Sequence, residues 1–259
     1  VQGPQIEGES AVLMDMITGT ILYSKNADKA QYPASITKIM TALLGSESLK
    51  ATDKFTMSET AAHGITDTQS SSIYADTGEE FTVEQALMAV MLQSANEMTL
   101  AIAEQTSGSV KKFVELMNLK ARQLGCTNTH FNNPNGLPDE NHYTCVYDMY
   151  LIFQEAVKSQ AFVDIIKTKS IDVTYQDANG NDVNKTWNNT NHYLTGETEA
   201  PEGITVIGGK TGTTNAAGYC LVLYSNNKKG EDIISIVYKS DGRSNMYLLM
   251  NQILSTFAN

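Results

Sequence analysis

The order of strand-like and helix-like segments constrains the fold of this 259-residue chain most strongly. Residues 11–24 have the alternation and the glycine turn of a β-hairpin, and several more strand-like segments follow residue 167. Residues 50–160 are mostly helix-like, and an amphipathic helix over 246–257 ends the chain. Strands from both ends can form one antiparallel sheet with the helical block inserted between them. We therefore predict an α+β fold with a cleft where sheet and insert meet.

The predicted organisation is one domain over residues 1–259. Its sheet subdomain covers about 1–48 and 168–259 and is flanked by N- and C-terminal helices. Its mostly helical subdomain covers about 49–167. Hydrophobic residues make up 41% of the chain and charged residues 18%, which is typical of a globular protein and not of a disordered one.

The composition also excludes some classes of partner. A net charge of −11 and a pI near 4.8 argue against nucleic acid, which binds a basic face, and against docking on anionic lipid. No apolar run is long enough to span a bilayer, and no signal peptide begins at Val1, so we interpret the chain as a mature or trimmed form. Cys126, Cys145 and Cys220 are too few and too scattered for a disulfide framework, and we expect small buried thiols.

The segment Ser35-Ile36-Thr37-Lys38 has the residue types of an activated nucleophile. It lies after Pro33 near the start of an apolar helix, where positions three apart share one face, so the Ser35 hydroxyl and the Lys38 amine can meet. A hydroxyl beside an amine that can lose its proton is a nucleophile with its own base. The free N–H groups of a first helical turn also favour developing negative charge. A capping serine is the alternative interpretation.

The same Ser-x-x-Lys pattern occurs at two other places. Ser109 opens a helix with a charged, solvated start, and Ser225 lies in a segment that we interpret as a polar turn between strands. Only Ser35 and Lys38 are set among apolar residues, where desolvation would lower the pKa of the lysine.

Two further motifs are candidates for the same site. Ser94-Ala95-Asn96 places a hydroxyl and an amide two residues apart, which could pass a proton and hold a carbonyl; a polar kink near a core helix is the alternative. Lys210-Thr211-Gly212 occurs once and follows Gly208 and Gly209, two glycines that would let a ligand approach the backbone closely. An exposed strand end is the alternative interpretation.

Nucleotide and metal sites are not indicated. Gly203 lies one residue too far from Gly209 for a phosphate-binding Gly-x-x-x-x-Gly-Lys-Thr loop. The four histidines form no His-x-x-x-His pair, and His142 with Cys145 lacks a third ligand. We therefore predict no metal and no cofactor.

The three motifs together carry a family resemblance. Ser-x-x-Lys, Ser-x-Asn and Lys-Thr-Gly in this order are a set found in β-lactamases and penicillin-binding proteins. With the stretches 32–35, 132–138 and 209–219, the chain resembles the serine-type D-alanyl-D-alanine carboxypeptidases, the low-molecular-mass penicillin-binding proteins, over nearly its whole length. No extra carboxylate is assignable as a dedicated deacylation base, which favours a peptidase over a β-lactamase.

The resemblance implies a role for each motif within a single catalytic domain. Ser35 would attack the carbonyl between two terminal D-alanines, and Lys38 would take its proton. Burial and the Lys210 ammonium would lower the pKa of Lys38 so that it is neutral part of the time. Ser94, helped by Lys210, would relay a proton to the leaving amine. Asn96 would hold the substrate's peptide oxygen and orient Lys38.

The resemblance also implies the binding groups. The backbone N–H groups of Ser35 and Thr213 would form the oxyanion hole. The substrate would bind to Thr211, Gly212, Thr213 and Arg243. Its terminal carboxylate would bind to three of them, Thr211, Thr213 and Arg243. An exposed loop arginine is the alternative for Arg243. Water would then cleave the acyl-enzyme.

The implied substrate is a peptidoglycan stem peptide ending in D-Ala-D-Ala, and β-lactams are the implied covalent inhibitors. The implied location is extracytoplasmic, secreted or anchored on the outer side of the cytoplasmic membrane. Family members commonly carry a C-terminal domain and a membrane anchor, which we expect to be absent here, so that membrane contact would need a segment outside this chain. A β-lactamase and a penicillin-sensing or wall-binding module without turnover are the alternative functions.

Overall fold

The computed structural model describes residues 9–67 and 70–258, which hold nine strands and nine α-helices. The strands are β1 (Ser10–Asp15), β2 (Ile21–Lys25), β3 (Lys54–Thr56), β4 (Glu80–Thr82), β5 (Ser170–Gln176), β6 (Asp182–Asn188), β7 (Thr205–Thr214), β8 (Gly218–Asn226) and β9 (Asp232–Ser240). The helices are α1 (Lys38–Ser48), α2 (Glu59–His63), α3 (Val83–Leu92), α4 (Asn96–Ser107), α5 (Val110–Gln123), α6 (Val146–Ala156), α7 (Gln160–Ile166), α8 (His192–Thr195) and α9 (Arg243–Phe257). A 3₁₀ turn, Ala34–Thr37, leads into α1. The predicted domain limits at residues 1 and 259 lie outside the described residues.

A five-stranded antiparallel sheet joins the two ends of the chain. Its order is β2-β1-β9-β8-β7, and β1 pairs on one side with β2 and on the other with β9. Successive residues of a strand point to opposite faces. Leu13 accordingly packs in the cluster that contains α9, whereas Val12 packs in the larger cluster that contains the helical block. The mixed fold with sheet ends and a helical insert is as the sequence predicted.

A second antiparallel sheet is an unpredicted feature. Its order is β3-β4-β5-β6, so the hairpin of β5 and β6 does not join the terminal sheet to which its sequence position assigned it. The physical reason is a buried aromatic contact, since the rings of Phe81 on β4 and Tyr175 on β5 stack with their centroids 4.4 Å apart. β3 and β4 have three residues each, too few for a strand pattern to show in the sequence.

The helix boundaries follow local signals. Thr82 and Gln85 form a capping box at the start of α3, and the Ser109 hydroxyl caps α5 by accepting from the Lys112 backbone N–H at 3.3 Å. Ser225 differs from its prediction: it is buried at the end of β8, and the polar turn begins after it. α9 begins at Arg243, three residues earlier than predicted, which places that arginine at a helix N-terminus.

Three predictions about composition can be compared with the described residues. The three cysteines are free and buried, as predicted. In ranges 9–67 and 70–258 we find no group of three or more side chains arranged to hold a metal ion. None of the helices in those ranges combines the length and the apolar character that crossing a membrane requires.

Candidate active site

Five candidate catalytic side chains meet between the five-stranded sheet and the helical block. Ser35 lies in the 3₁₀ turn and Lys38 is the first residue of α1. Ser94 lies between α3 and α4, and Asn96 begins α4. Lys210 lies in the middle of β7, the edge strand that contacts the 3₁₀ turn. Segments far apart in the chain therefore form one cluster.

Lys38 lies at the centre of this cluster and is fully buried. Its Nζ lies 2.9 Å from Ser35 Oγ, and it donates to Asn96 Oδ1 and to the Asn135 carbonyl oxygen, each at 2.7 Å. The two carbonyl oxygens are acceptors only, so they take two N–H groups of the amine. When Lys38 is neutral, its lone pair is therefore left to face the Ser35 hydroxyl.

The electrostatics of the cluster favour that neutral form. Burial lowers the pKa of Lys38 well below its usual range, and the nearby Lys210 ammonium lowers it further. The Glu97 carboxylate acts in the opposite direction and raises the pKa of Lys38. A neutral amine in hydrogen-bonding contact with a hydroxyl is the arrangement of a general base and its nucleophile.

Lys210 connects the other two motifs. Its Nζ lies 3.2 Å from Ser94 Oγ and donates to the Thr211 carbonyl oxygen at 2.9 Å. Burial lowers the pKa of Lys210 to about 7. Ser94 itself has a left-handed backbone, with a φ of 57°, which aims its hydroxyl from the turn between two helices. Lys210 can therefore hold or release a proton near neutral pH beside this hydroxyl.

Gly212 allows β7 to lie directly against the 3₁₀ turn that carries Ser35, which we call the nucleophile turn. A Cβ at this position would lie 2.9 Å from the backbone nitrogens of both Ser35 and Ile36. Such a contact is too short for a side chain, so only glycine fits without a shift. β7 therefore runs directly beside the nucleophile turn.

Ser35 lies between two open cavities of about 290 and 300 Å³. Thr213 and Ser71 line both cavities. The first cavity is also lined by Thr190, Thr211, Gly212, His192 and Arg243. The second is also lined by Asp67, Ser70, Asn96, Asn135, Gly136, Leu137, Pro138, Thr214 and Asn215. A peptide could therefore lie across Ser35 with one part in each cavity.

Thr211 and Arg243 lie on the first side of Ser35. The Thr211 hydroxyl is hydrogen-bonded to the Thr190 hydroxyl at 2.7 Å, and the Arg243 guanidinium is exposed at the start of α9. Thr190 belongs to none of the three sequence motifs and also lines this cavity. The hydroxyls of Thr190 and Thr211 and the Arg243 guanidinium therefore lie along one cavity, which the Glu197 carboxylate also lines. These donors suit a carboxylate ligand.

His142 is a site residue that the sequence did not reveal. Its Nδ1 accepts from the Asn132 backbone N–H at 2.9 Å, so its Nε2 carries the hydrogen and donates to Thr37 Oγ1 at 2.8 Å. The ring therefore joins the nucleophile turn to the segment whose Asn135 carbonyl binds Lys38. Sequence spacing gave no signal, because His142 and Thr37 are 105 residues apart.

We expect the His142→Gln variant to be less sensitive to acid than the wild type. Burial lowers the pKa of His142 from 6.5 to about 4, so the unfolded chain binds a proton that the folded chain refuses between these values. The wild-type free energy of unfolding should therefore fall by up to about 3 kcal/mol as the pH falls through this window. Urea unfolding at a series of pH values measures this slope, and an equal slope in His142→Gln would contradict the assignment.

The sequence of the chain matches known proteins over most of its length. Residues 1–242 match the family model of the D-alanyl-D-alanine carboxypeptidases, peptidase family S11. The chain is 39% identical over 231 residues to the D-alanyl-D-alanine carboxypeptidase DacF of Bacillus subtilis, which covers 86% of this chain and 55% of DacF. It is 31% identical over 249 residues to the D-alanyl-D-alanine carboxypeptidase of Streptomyces sp. strain K15, covering 93% and 83% respectively. The chain belongs to the D-alanyl-D-alanine carboxypeptidase family.

Solved structures show the same fold. The crystal structure of the Streptomyces K15 DD-transpeptidase superposes with a TM-score of 0.90 at 30% identity, covering 98% of each chain. Penicillin-binding protein 5 from Haemophilus influenzae superposes with a TM-score of 0.86 at 32% identity, covering all of this chain and 73% of that one. The chain spans little more than half the length of the first curated relatives, 55% of DacF and 58% of DacA of Haemophilus influenzae.

Proposed function

We propose that this chain is a serine D-alanyl-D-alanine carboxypeptidase that removes the terminal D-alanine from peptidoglycan stem pentapeptides. The observation that supports this most strongly is the contact of the buried Lys38 amine with Ser35 Oγ at 2.9 Å, while two carbonyl oxygens hold the other N–H groups. Acyl transfer needs a nucleophile with its own base.

In the proposed acylation, Ser35 Oγ attacks the carbonyl carbon between the two D-alanines and its proton passes to Lys38. The carbonyl oxygen becomes an oxyanion held by the backbone N–H groups of Ser35 and Thr213. In other acyl-transfer enzymes one such donor contributes about 3 kcal/mol to transition-state stabilisation. Asn96 binds the peptide oxygen on the acyl side and keeps Lys38 in place.

Collapse of the tetrahedral intermediate breaks the C–N bond. The leaving amine of D-alanine takes the hydroxyl proton of Ser94, and Lys210 replaces it through the contact of 3.2 Å. Water then attacks the ester on Ser35 and gives a proton through Ser94 to Lys210, which lost its own proton in the first step, while the C–O bond to Ser35 breaks and Lys38 returns its proton to Ser35 Oγ. The second product is the shortened peptide, and Ser35 recovers its proton.

The terminal carboxylate of the substrate is proposed to lie in the first cavity. The hydroxyls of Thr211 and Thr213 and the Arg243 guanidinium would bind it, and Gly212 lines the same cavity. β-Lactams would acylate Ser35 in the same way and act as covalent inhibitors. The proposed place of action is outside the cytoplasmic membrane, where peptidoglycan is accessible.

The proposed catalytic unit is one domain with the two parts predicted above. Its sheet part carries Lys210, and its helical part carries Ser94 and Asn96. The nucleophile turn joins them, since the 3₁₀ turn contacts β7 and leads into α1 within the helical core. Catalysis would therefore depend on the relative position of both parts.

Two assays distinguish this function from its alternatives. The first measures D-alanine release from a linear peptide ending in Lys-D-Ala-D-Ala, and the second measures hydrolysis of a chromogenic β-lactam. Release with a long-lived β-lactam adduct supports the proposal. Fast β-lactam turnover without D-alanine release indicates a β-lactamase, and a stable adduct without either turnover indicates a sensing or binding module.

The pH profile of kcat/KM is expected to be bell-shaped with its alkaline limb near pH 7. The rising limb reports loss of a proton from Lys38, whose pKa burial lowers well below its usual range. The falling limb reports loss of the Lys210 proton, because burial lowers its pKa to about 7. Lys210→Arg keeps its charge at higher pH, so the falling limb should move to higher pH. A falling limb at the same pH in Lys210→Arg as in the wild type would show that loss of the Lys210 proton does not cause it.

A further inference from the structure

Glu97 is a buried carboxylate beside the candidate catalytic residues, and the proposed reaction does not use it. It follows Asn96 in the first turn of α4, and 3% of its surface is exposed. Burying an ionised carboxylate is costly unless its lone pairs and its charge are both compensated. The two oxygens of this carboxylate differ in their contacts.

One oxygen organises residues 70–75, which we call the wall segment. Glu97 Oε1 accepts hydrogen bonds from Ser72 Oγ at 2.7 Å and from the Ile73 backbone N–H at 2.8 Å. The Ala75 backbone N–H is a third, longer donor at 3.4 Å. Three donors from one short segment on a single oxygen are the pattern of a carboxylate that fixes a loop.

The wall segment forms part of the candidate substrate cleft. The backbone N–H of Asn96 donates to the Ser71 carbonyl oxygen at 2.9 Å, next to the anchor at Glu97. Ser71 lines both cavities that flank Ser35. Glu97 therefore holds the wall of the cleft in place from behind.

The second oxygen has a different environment. Glu97 Oε2 is buried and makes no hydrogen bond to any described residue. The Lys38 ammonium does not reach it either, because its Nζ is bonded to Ser35, Asn96 and Asn135. The attraction between the Glu97 carboxylate and the Lys38 ammonium therefore acts through space and not through a hydrogen bond.

We infer that Glu97 is a positioning residue with two roles: it anchors the wall segment, and it is the counter-charge of the buried lysine pair that keeps Lys38 a competent base. The inference rests on the proposed acylation of Ser35. Without a negative charge nearby, burial and the Lys210 ammonium would leave Lys38 too weakly basic to take the proton of Ser35.

The charged and titratable groups around Lys38 come from three elements. Lys210 on β7 lowers the pKa of Lys38, in addition to the larger effect of burial, and Glu97 on α4 raises it. His142, in the segment between α5 and α6, is buried and neutral, and burial lowers its pKa to about 4. Of these groups, Glu97 is the one whose charge favours the protonated lysine.

The test measures how fast a fluorescent penicillin acylates the wild type and two variants at a series of pH values on the acid limb of the profile. Glu97→Gln keeps the shape of the side chain and removes its charge, so the acid limb should move to lower pH and the plateau rate should fall on the order of 10-fold. Ser72→Ala removes one bond to Oε1 and keeps the charge. It should raise KM for the peptide and leave the acid limb where the wild type has it.

Each outcome decides between the two roles. An acid limb in Glu97→Gln that coincides with the wild-type limb would overturn the counter-charge and leave a structural anchor only. A wild type that forms no adduct on Ser35 would instead reject the proposed function.

A measurement on the wild-type enzyme tests the same inference when the Glu97→Gln variant does not fold. In enzyme labelled with ¹³C at the glutamate carboxyls, the Glu97 signal is assigned by its loss in Glu97→Asp. An ionised signal throughout the acid limb supports the inference. A protonated signal over the pH range in which the enzyme acylates overturns it.

Discussion

Ser35→Ala is expected to lower D-alanine release by at least about 10⁴-fold, because no other group in the cleft would form the acyl-enzyme. In the variant, Lys38 keeps its contacts with Asn96 and Asn135, so the fold should be retained. The measurement is D-alanine released from a peptide ending in Lys-D-Ala-D-Ala, with circular dichroism to verify folding.

The matched control is Ser109→Ala, the same substitution in another Ser-x-x-Lys sequence. Ser109 caps α5 through the Lys112 backbone N–H, so its loss should cost about 1 kcal/mol of stability and leave activity unchanged. Release that persists in Ser35→Ala, or that disappears in Ser109→Ala, would show that the motif was assigned to the wrong serine.

Lys38→Met is expected to lower the rate of Ser35 acylation by about 10²- to 10⁴-fold, the range for loss of a general base. Methionine fills a similar volume in the buried site but cannot accept the hydroxyl proton. The peptide's KM should change less than kcat, because the cavities that flank Ser35 are lined by other side chains. Single-turnover acylation by a fluorescent penicillin measures the loss.

Lys112→Met is the control for this substitution. Lys112 is exposed on α5, so its replacement should leave the acylation rate within about 2-fold of the wild type, as expected for a surface position. A Lys38→Met variant that acylates at the wild-type rate would require a different base for Ser35.

Local patterns made much of the fold predictable. The capping box at Thr82 and the hairpin turn at Gly180 depend on neighbours within a few residues, so the sequence displays them. The sheet of the two chain ends followed from the order of elements. The meeting of Ser35, Lys38 and Lys210 was implied by the family resemblance that their motifs carry.

Contacts between distant residues were not predictable in the same way. The second sheet depends on pairing across most of the helical block, where β4 and β5 share a single residue pair, Glu80 with Gln176. The Asn135 carbonyl binds Lys38 across 97 residues through a backbone atom, which leaves no mark on residue type. The burial of Glu97 has no local signal, because it depends on the wall segment folding over this residue.

The activation of Ser35 by Lys38 is tested most directly by peptide mapping with mass spectrometry after brief exposure of the wild-type chain to benzylpenicillin. We expect one covalent adduct, on the peptide that contains Ser35, formed more slowly in acid as the amine at position 38 becomes protonated. An adduct on another residue, or an unmodified serine at position 35 after full exposure at neutral pH, would contradict the claim that this amine activates that hydroxyl.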